Sequence, residues 1–222
     1  MYTYLLMIAS LLSVLSYNIN YISYKKLRPV LFNIYNKKKI YNTTLEHIIP
    51  QSIYKKNDKK LSCDLHNLIM YPSKVNIHRS NYKYISDLKI FDDSVILDEN
   101  GNENKYYKPL SKNFCIKNSK RKIFLPSDKF KGDISRAAMY FLYTYPNYKD
   151  IILKDVIDPY TILTWHHQFP VSDFEIYKSE EIEKLQGNKN IFIDRPELLV
   201  PKMEDILQKD LSIFNDYKYN KN

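Results

Sequence analysis

Only 3 glycines and 2 cysteines occur among the 222 residues. The cysteines, Cys63 and Cys115, limit the chain to one internal disulfide, which would need an oxidising compartment. It would close a loop of about 50 residues and contribute on the order of 4 kcal/mol in the chain-entropy account. Two unpaired thiols are the alternative. No Lys, Arg, Asp or Glu precedes Lys25. The apolar run at 5–16, LLMIASLLSVLS, is short for a membrane span and has the length of a signal-peptide core. Val14 and Ser16 offer a small pair for cleavage. A secretory leader at 1–16 is therefore expected, with an uncleaved anchor or a buried helix as alternatives. Either membrane reading puts the chain outside the cytosol or in an endomembrane lumen. Internal repeats and a clear linker are also lacking, which argues for one domain at 17–199 and a helical tail at 200–222.

What is present excludes disorder: 44% of residues are hydrophobic, with 21 Tyr and 10 Phe. The net charge of +9 would survive removal of the uncharged leader. Such a balance suits a polyanionic partner or simply keeps the chain in solution. The lysine runs at 37–39 and 112–122 are read as solvated faces, with phosphate contact as the alternative.

Residues 43–49, TTLEHII, are rich in β-branched side chains and predict a strand that Pro50 ends. Residues 61–70 read as a second extended segment, and 75–88 as a helix. Residues 91–122 predict strands around a turn at 98–102, where Asn100-Gly101 signals a hairpin. Further helices are expected after Pro29, at 133–145 with Asp133 as N-cap, at 159–168, at 173–185 and at 203–214. The class is α+β in a single mixed domain.

The chemistry-bearing cluster is Glu46-His47 before Pro50. A histidine near its ordinary pKa can take a proton from water, and a carboxylate oxygen suits a hard cation. Strand neighbours point to opposite faces, so a shared site requires a strand end or a bulge. No second histidine follows at helical spacing, which excludes the zincin pattern. His78, His166 and His167 have no carboxylate at ligand spacing, and zinc is not expected. Asp64, His66 and Asn67 form a second cluster, and Asn76 to Tyr82 a third.

In order, LEHIIPQS (45–52), DLHNL (64–68), KVNIHRSNY (74–82), GDISRAAMYFLYTY (132–145), WHHQFPVSDFE (165–175) and LQGNKNIFIDRPE (185–197) resemble the endonuclease I family of periplasmic and secreted nucleases. The resemblance implies a ββα-metal (His-Me finger) core at about 43–88 surrounded by helices. It implies His47 as general base, and Glu46 and Asn76 as ligands of one divalent ion. Magnesium is the expected ion, with calcium or manganese as alternatives. Asp64, His66 and Asn67 are read as orienting His47 or tying its strand to the helix, with Asn67 the first choice and placed, like Arg136, among the catalytic residues; for Arg79 and Arg136 the resemblance implies either a clamp on the scissile phosphate or a buttress of the fold. Lys55, Lys56, Lys59 and Lys60 fill a segment where some members carry a longer, cysteine-rich insertion, and are candidates for nucleic-acid contact. Gln186 to Asn190 are read as a buried tie for the C-terminal segment. The implied activity is endonucleolytic hydrolysis of DNA, and of RNA as an option, with little sequence preference and 5′-phosphate products. The alternatives are an RNA-preferring enzyme and a secreted nucleic-acid-binding protein with a degenerate site.

Overall fold

The computed structural model describes residues 19–36, 42–86, 93–104 and 114–207. The leader, the 37–39 lysine run, the 87–88 end of the expected third-cluster helix and the 208–214 end of the tail helix lie outside them.

Strand β1 (Thr43–His47) forms at the expected β-branched run and pairs antiparallel with β2 (Leu68–Pro72). The register sets Glu46 opposite Ile69 and His47 opposite Leu68. The strand stops at His47, two residues short of the expected 43–49 run, and Pro50 is the N-cap of the short helix α2 (Gln51–Tyr54). The segment before β2 is not a long strand. It folds into 3-10 turns at Lys59–Cys63 and Leu65–Asn67. Asp58 and Asp64 cause this, since their side chains accept from the Lys60 and His66 amides and offer the backbone a local alternative to a ladder.

Helix α3 (Ser73–Arg79) follows β2 directly and is shorter than its sequence pattern suggests. Ser80, at φ 53°, turns the chain out of the helix and into β3 (Lys83–Tyr84). β1, β2 and α3 make the ββα unit. A second sheet runs β3-β6-β5-β4, with β4 (Val95–Leu97), β5 (Cys115–Asn118) and β6 (Ile123–Leu125). The expected turn at 98–102 is present: the Asp98 carboxylate accepts from the Asn100 and Asn102 amides. Gly101 sits at φ 82°, and a Cβ there would lie 2.6 Å from both Lys74 Cβ and Val75 N, so this turn presses on α3.

Helix α1 (Tyr24–Tyr35) carries Pro29 inside it instead of starting after it. Helix α4 (Asp128–Thr144) starts before Asp133, which becomes an interior residue. Around α4 pack α5 (Lys149–Asp155), α6 (Pro159–Gln168), α7 (Asp173–Gln186), α8 (Ile191–Asp194) and α9 (Leu199–Leu207). Asp158 with Pro159 starts α6, and a Ser172–Glu175 capping box starts α7. Left-handed Gly187 at φ 83° stops α7.

β2 joins two apolar clusters. Ile69 and Tyr71 face the main core with Phe141 and Trp165, while Leu68 and Met70 face Leu27 and Leu31 of α1. Burial on both faces explains its unbroken apolar run. Cys63 and Cys115 are both buried and free, each in a different cluster, so the disulfide option is not realised. The result is the expected α+β single domain. Among the described residues no helix is long and apolar enough to cross a membrane.

Candidate functional site

His47 is the last residue of β1, so the strand-end condition for a Glu-His site is met. Its Nε2 lies 3.0 Å from the Ser62 carbonyl. A carbonyl only accepts, so the ring proton sits on Nε2 and the basic lone pair is on Nδ1. Burial lowers the His47 pKa to about 4; the Ser62 hydrogen bond opposes this, while the charges of Arg79 and Lys55 add to it. The ring is therefore neutral at neutral pH, as a base must be. The Gln51 side-chain nitrogen also lies 3.1 Å from Nε2, but with the proton on Nε2 both are donors and this contact is not a hydrogen bond; the same nitrogen donates to the Tyr24 hydroxyl at 3.3 Å, and Gln51 Oε1 accepts from Lys55 at 3.2 Å. The Tyr24 ring lies parallel to the imidazole, 9° apart and 6.3 Å between centroids.

Glu46 is buried and meets Arg79 of α3, Oε1 to Nη1 at 2.8 Å. That single contact with the guanidinium is what holds Oε1. Burial raises the Glu46 carboxyl to about 7 against the opposing pull of Arg79. Asn76 lies three residues before Arg79, on the same side of α3. Its Nδ2 donates to Thr44 Oγ1 at 3.0 Å and to the Leu45 carbonyl at 3.1 Å. The amide nitrogen is thereby turned toward β1, which leaves the side-chain carbonyl as the open acceptor.

Arg79 is 1% exposed and also donates to the His47 and Ile48 carbonyls, at 3.2 and 2.7 Å. It stands 4.5 Å over the Tyr84 ring. A guanidinium so enclosed holds β1 against α3 and is not presented to a nucleic-acid backbone, so the buttress role replaces the clamp. Arg136 requires the same correction. It is 1% exposed, its Nε and Nη2 grip Glu175 at 2.7 and 2.6 Å, and its Nη1 donates to the Phe169 carbonyl at 2.9 Å. It ties α4 to α7 and touches neither His47 nor Glu46.

Asn67 braces the backbone just after the base: Oδ1 accepts from Ile49 N at 2.8 Å, and Nδ2 donates to the Ile49 carbonyl at 3.1 Å and to Tyr54 at 3.3 Å. It acts on the strand end and makes no bond to the imidazole. Asp64 accepts from His66 N, Gln186, Tyr140 and Tyr145, and His66 bonds the Asn188 carbonyl. These bonds make the 186–190 segment the expected buried tie. Lys55, Lys56, Lys59 and Lys60 are all exposed, on the segment that carries Ser62. Sequence reasoning missed Ser62, Gln51 and Tyr24. Ser62 acts through its backbone, which carries no side-chain signal, whereas Gln51 stands four residues after His47.

The donor set suits a hard cation: a buried carboxylate that Arg79 holds at one oxygen, and an amide turned to expose its oxygen. Among the described residues no group of three or more His, Cys, Asp or Glu side chains forms a metal cage, so water and substrate would complete such a site.

The sequence model of the Endonuclease I family matches residues 9–197. An extracellular deoxyribonuclease of Aeromonas hydrophila is 26% identical over 132 residues, 60% of this chain and 49% of that protein. A periplasmic deoxyribonuclease of the same organism is 26% identical over 136 residues, 61% of this chain and 49% of its own length. An extracellular ribonuclease of Bacillus subtilis (strain 168) is 39% identical over 85 residues, 32% of this chain and 30% of that protein. The chain thus spans about half the length of the two deoxyribonucleases it matches. The family match includes the whole ββα unit with Glu46, His47 and Asn76, and this chain belongs to the Endonuclease I family.

Proposed function

We propose that this protein is a secreted, metal-dependent nuclease that hydrolyses phosphodiester bonds of DNA or RNA with little sequence preference. The observation that carries the reading is His47: a neutral imidazole with Nε2 pinned to a carbonyl and Nδ1 left basic, one residue from a buried carboxylate held by Arg79. Relatives that are extracellular or periplasmic nucleases support both the chemistry and the export.

In this mechanism Nδ1 of His47 takes a proton from a water in line with the scissile P–O3′ bond. The Ser62 carbonyl stabilises the imidazolium that results, because the Nε2–H bond strengthens as the ring gains charge. Glu46 and Asn76 are the residues that would hold one divalent ion, magnesium by preference. When bound, that ion supplies neutralisation of charge on the phosphorane and the leaving oxygen. Arg79 fixes the Glu46 carboxylate and the His47 backbone together, which keeps base and carboxylate in register. Attack by water at phosphorus with loss of the 3′ oxygen leaves 5′-phosphate ends. The lysines at 55, 56, 59 and 60 would contact backbone phosphate, which carries no base information.

The test is plasmid nicking with magnesium, with EDTA, and with magnesium restored. His47→Ala is expected to lose about 10²- to 10⁴-fold in rate while remaining folded. Wild-type cleavage by that variant would sink the assignment. The 39% match to a ribonuclease favours weighing RNA as the main substrate. Parallel digestion of single-stranded RNA, single-stranded DNA and duplex DNA decides between them. Binding without EDTA-sensitive cleavage would revive the degenerate-site alternative.

A further inference from the structure

Away from His47, a groove of about 760 Å³ opens at the far end of the ββα unit. Its walls come from five separate parts of the chain. Arg28 is supplied by α1, Lys74 and Ser73 by α3, Lys129 by α4, and Thr43 by the start of β1, while Glu99 of the 98–102 turn is the one carboxylate among the lining residues. Arg28, Lys74 and Lys129 are all exposed. Three cations against one anion leave the groove positive.

Three elements run from the candidate active site into this groove. Helix α1 carries Tyr24, parallel to His47, and Arg28 four residues later on the same face. Helix α3 carries Asn76 and, less than one turn earlier, Ser73 and Lys74. Strand β1 ends at His47 and begins at Thr43, about 13 Å away at the rise of a strand. That span is roughly four nucleotides at the axial rise of one strand of duplex DNA. Lys74 is also aimed: its Nζ bonds Asn102 Oδ1 at 2.7 Å, which holds the ammonium at the groove wall. The exposed lysines at 55, 56, 59 and 60 do not line the groove.

We infer that this groove is a strand-binding subsite that holds backbone phosphates of the nucleic acid a few nucleotides from the scissile bond. The inference rests on the nuclease reading and adds to it a direction for the bound strand and a dependence on substrate length. Substrates too short to reach from His47 to Arg28 lose these contacts. Longer DNA or RNA strands gain them whatever their sequence.

The experiment measures binding and cleavage separately. Fluorescence anisotropy in EDTA follows binding of labelled single-stranded DNA, single-stranded RNA and duplex DNA, each at about 4 and about 20 nucleotides, across a salt series. The variants are Arg28→Gln, Lys74→Gln and Lys129→Gln, singly and together. A control replaces Lys154, Lys184 and Lys202 by Gln, on helices that do not line the groove, for the same loss of charge. For the long duplex, each groove substitution should reduce the slope of log affinity against log salt by about 0.9, and for single strands by about 0.7. The triple variant should bind long strands at least about tenfold more weakly at low salt. It should bind the short ones like wild type. Cleavage of long strands should show a raised KM with kcat little changed. The slope readout on single variants keeps the test valid if the triple variant fails to fold. The inference is overturned if groove and control variants have equal slopes, if short strands lose as much as long ones, or if wild type binds none of the strands. The nuclease reading fails on a different readout, when wild type binds but magnesium produces no cleavage. A preference among the three long strands identifies which nucleic acid the groove takes.

Discussion

Arg136–Glu175 and Arg79–Glu46 are both buried arginine–glutamate pairs, and their construction differs. In the first, two guanidinium nitrogens grip both carboxylate oxygens at 2.7 and 2.6 Å, and a third donates to the Phe169 carbonyl. Glu175 in turn accepts from Ser172 N in the capping box of α7. Gly132 makes room for this fork, since a Cβ there would fall 2.4 Å from Arg136 Nη2. In the second, the ion pair rests on one 2.8 Å contact, and Arg79 Nε lacks a hydrogen-bond partner. Burying charge is costly, so a pair kept only for stability is expected to be fully bonded. The helical side of the molecule meets that standard. The ββα side holds its carboxylate by one contact only beside the candidate base, where a less fully bonded carboxylate is of chemical use.

The largest effect expected from this contrast is on stability. Arg136→Ala strands a buried carboxylate and should cost about 3–5 kcal/mol in urea unfolding. Cleavage per folded molecule should stay near wild type. A cost below about 1 kcal/mol would remove the structural role given to this pair. A like-for-like contrast comes from neutralising each glutamate. Glu175→Gln breaks a charge-assisted bidentate grip and should lose about 2–4 kcal/mol. Glu46→Gln gives up a single contact and should lose about 1 kcal/mol or less, yet abolish most cleavage. Equal stability losses would erase the distinction between the pairs. Gly132→Ala should cost about 1–3 kcal/mol through overpacking of the Arg136 fork, read as a lowered Tm.

The smallest effect is the pH dependence of stability in EDTA. Burial lowers His47 and His166 to about 4 and lowers His66 as well. Each takes up a proton more readily when unfolded, so each removes stability as pH falls below about 6.5 toward its folded pKa. Glu46, raised by burial to about 7, has the opposite sign: the folded state keeps its proton, and stability falls as pH rises through 4.5 to 7. His47 and Glu46 therefore oppose one another, and His66 and His166 decide the net sign. Stability should rise with pH between about 4.5 and 6.5. Glu46→Gln should steepen that rise by up to about 1.4 kcal/mol per pH unit. A slope unchanged by this substitution would mean that Glu46 is not held as described.

Local chemistry made some of this legible beforehand. Thr43 and Thr44 mark β1, and Asp158-Pro159 and Ser172 the starts of α6 and α7, whereas β1 ends at His47, ahead of Pro50. The 3-10 turns before β2 escaped because the apolar pattern of 61–70 outweighed two aspartate caps in the reading. Helix α4 begins ahead of Asp133 because its first turns pack through Phe130 and Gly132, which is a tertiary matter. Glu46, His47 and Asn76 were legible as residue types through the resemblance, and the fold brings α3 against the end of β1 through Asn76 and Arg79. The roles of the arginines were not legible. Arg136 differs from a phosphate clamp only because Glu175 waits 39 residues away. Likewise the tautomer of His47 depends on a backbone carbonyl 15 residues on.

The most direct test of the contrast is calorimetric titration of magnesium, and of manganese as a tighter probe, into protein free of nucleic acid. Wild type and Glu175→Gln are predicted to bind one ion with the same Kd. Glu46→Gln and Asn76→Ala, with folding verified by circular dichroism, are predicted to bind at least about tenfold more weakly, as loss of a ligand requires. An unchanged Kd in Glu46→Gln and Asn76→Ala, or a loss confined to Glu175→Gln, would contradict the account.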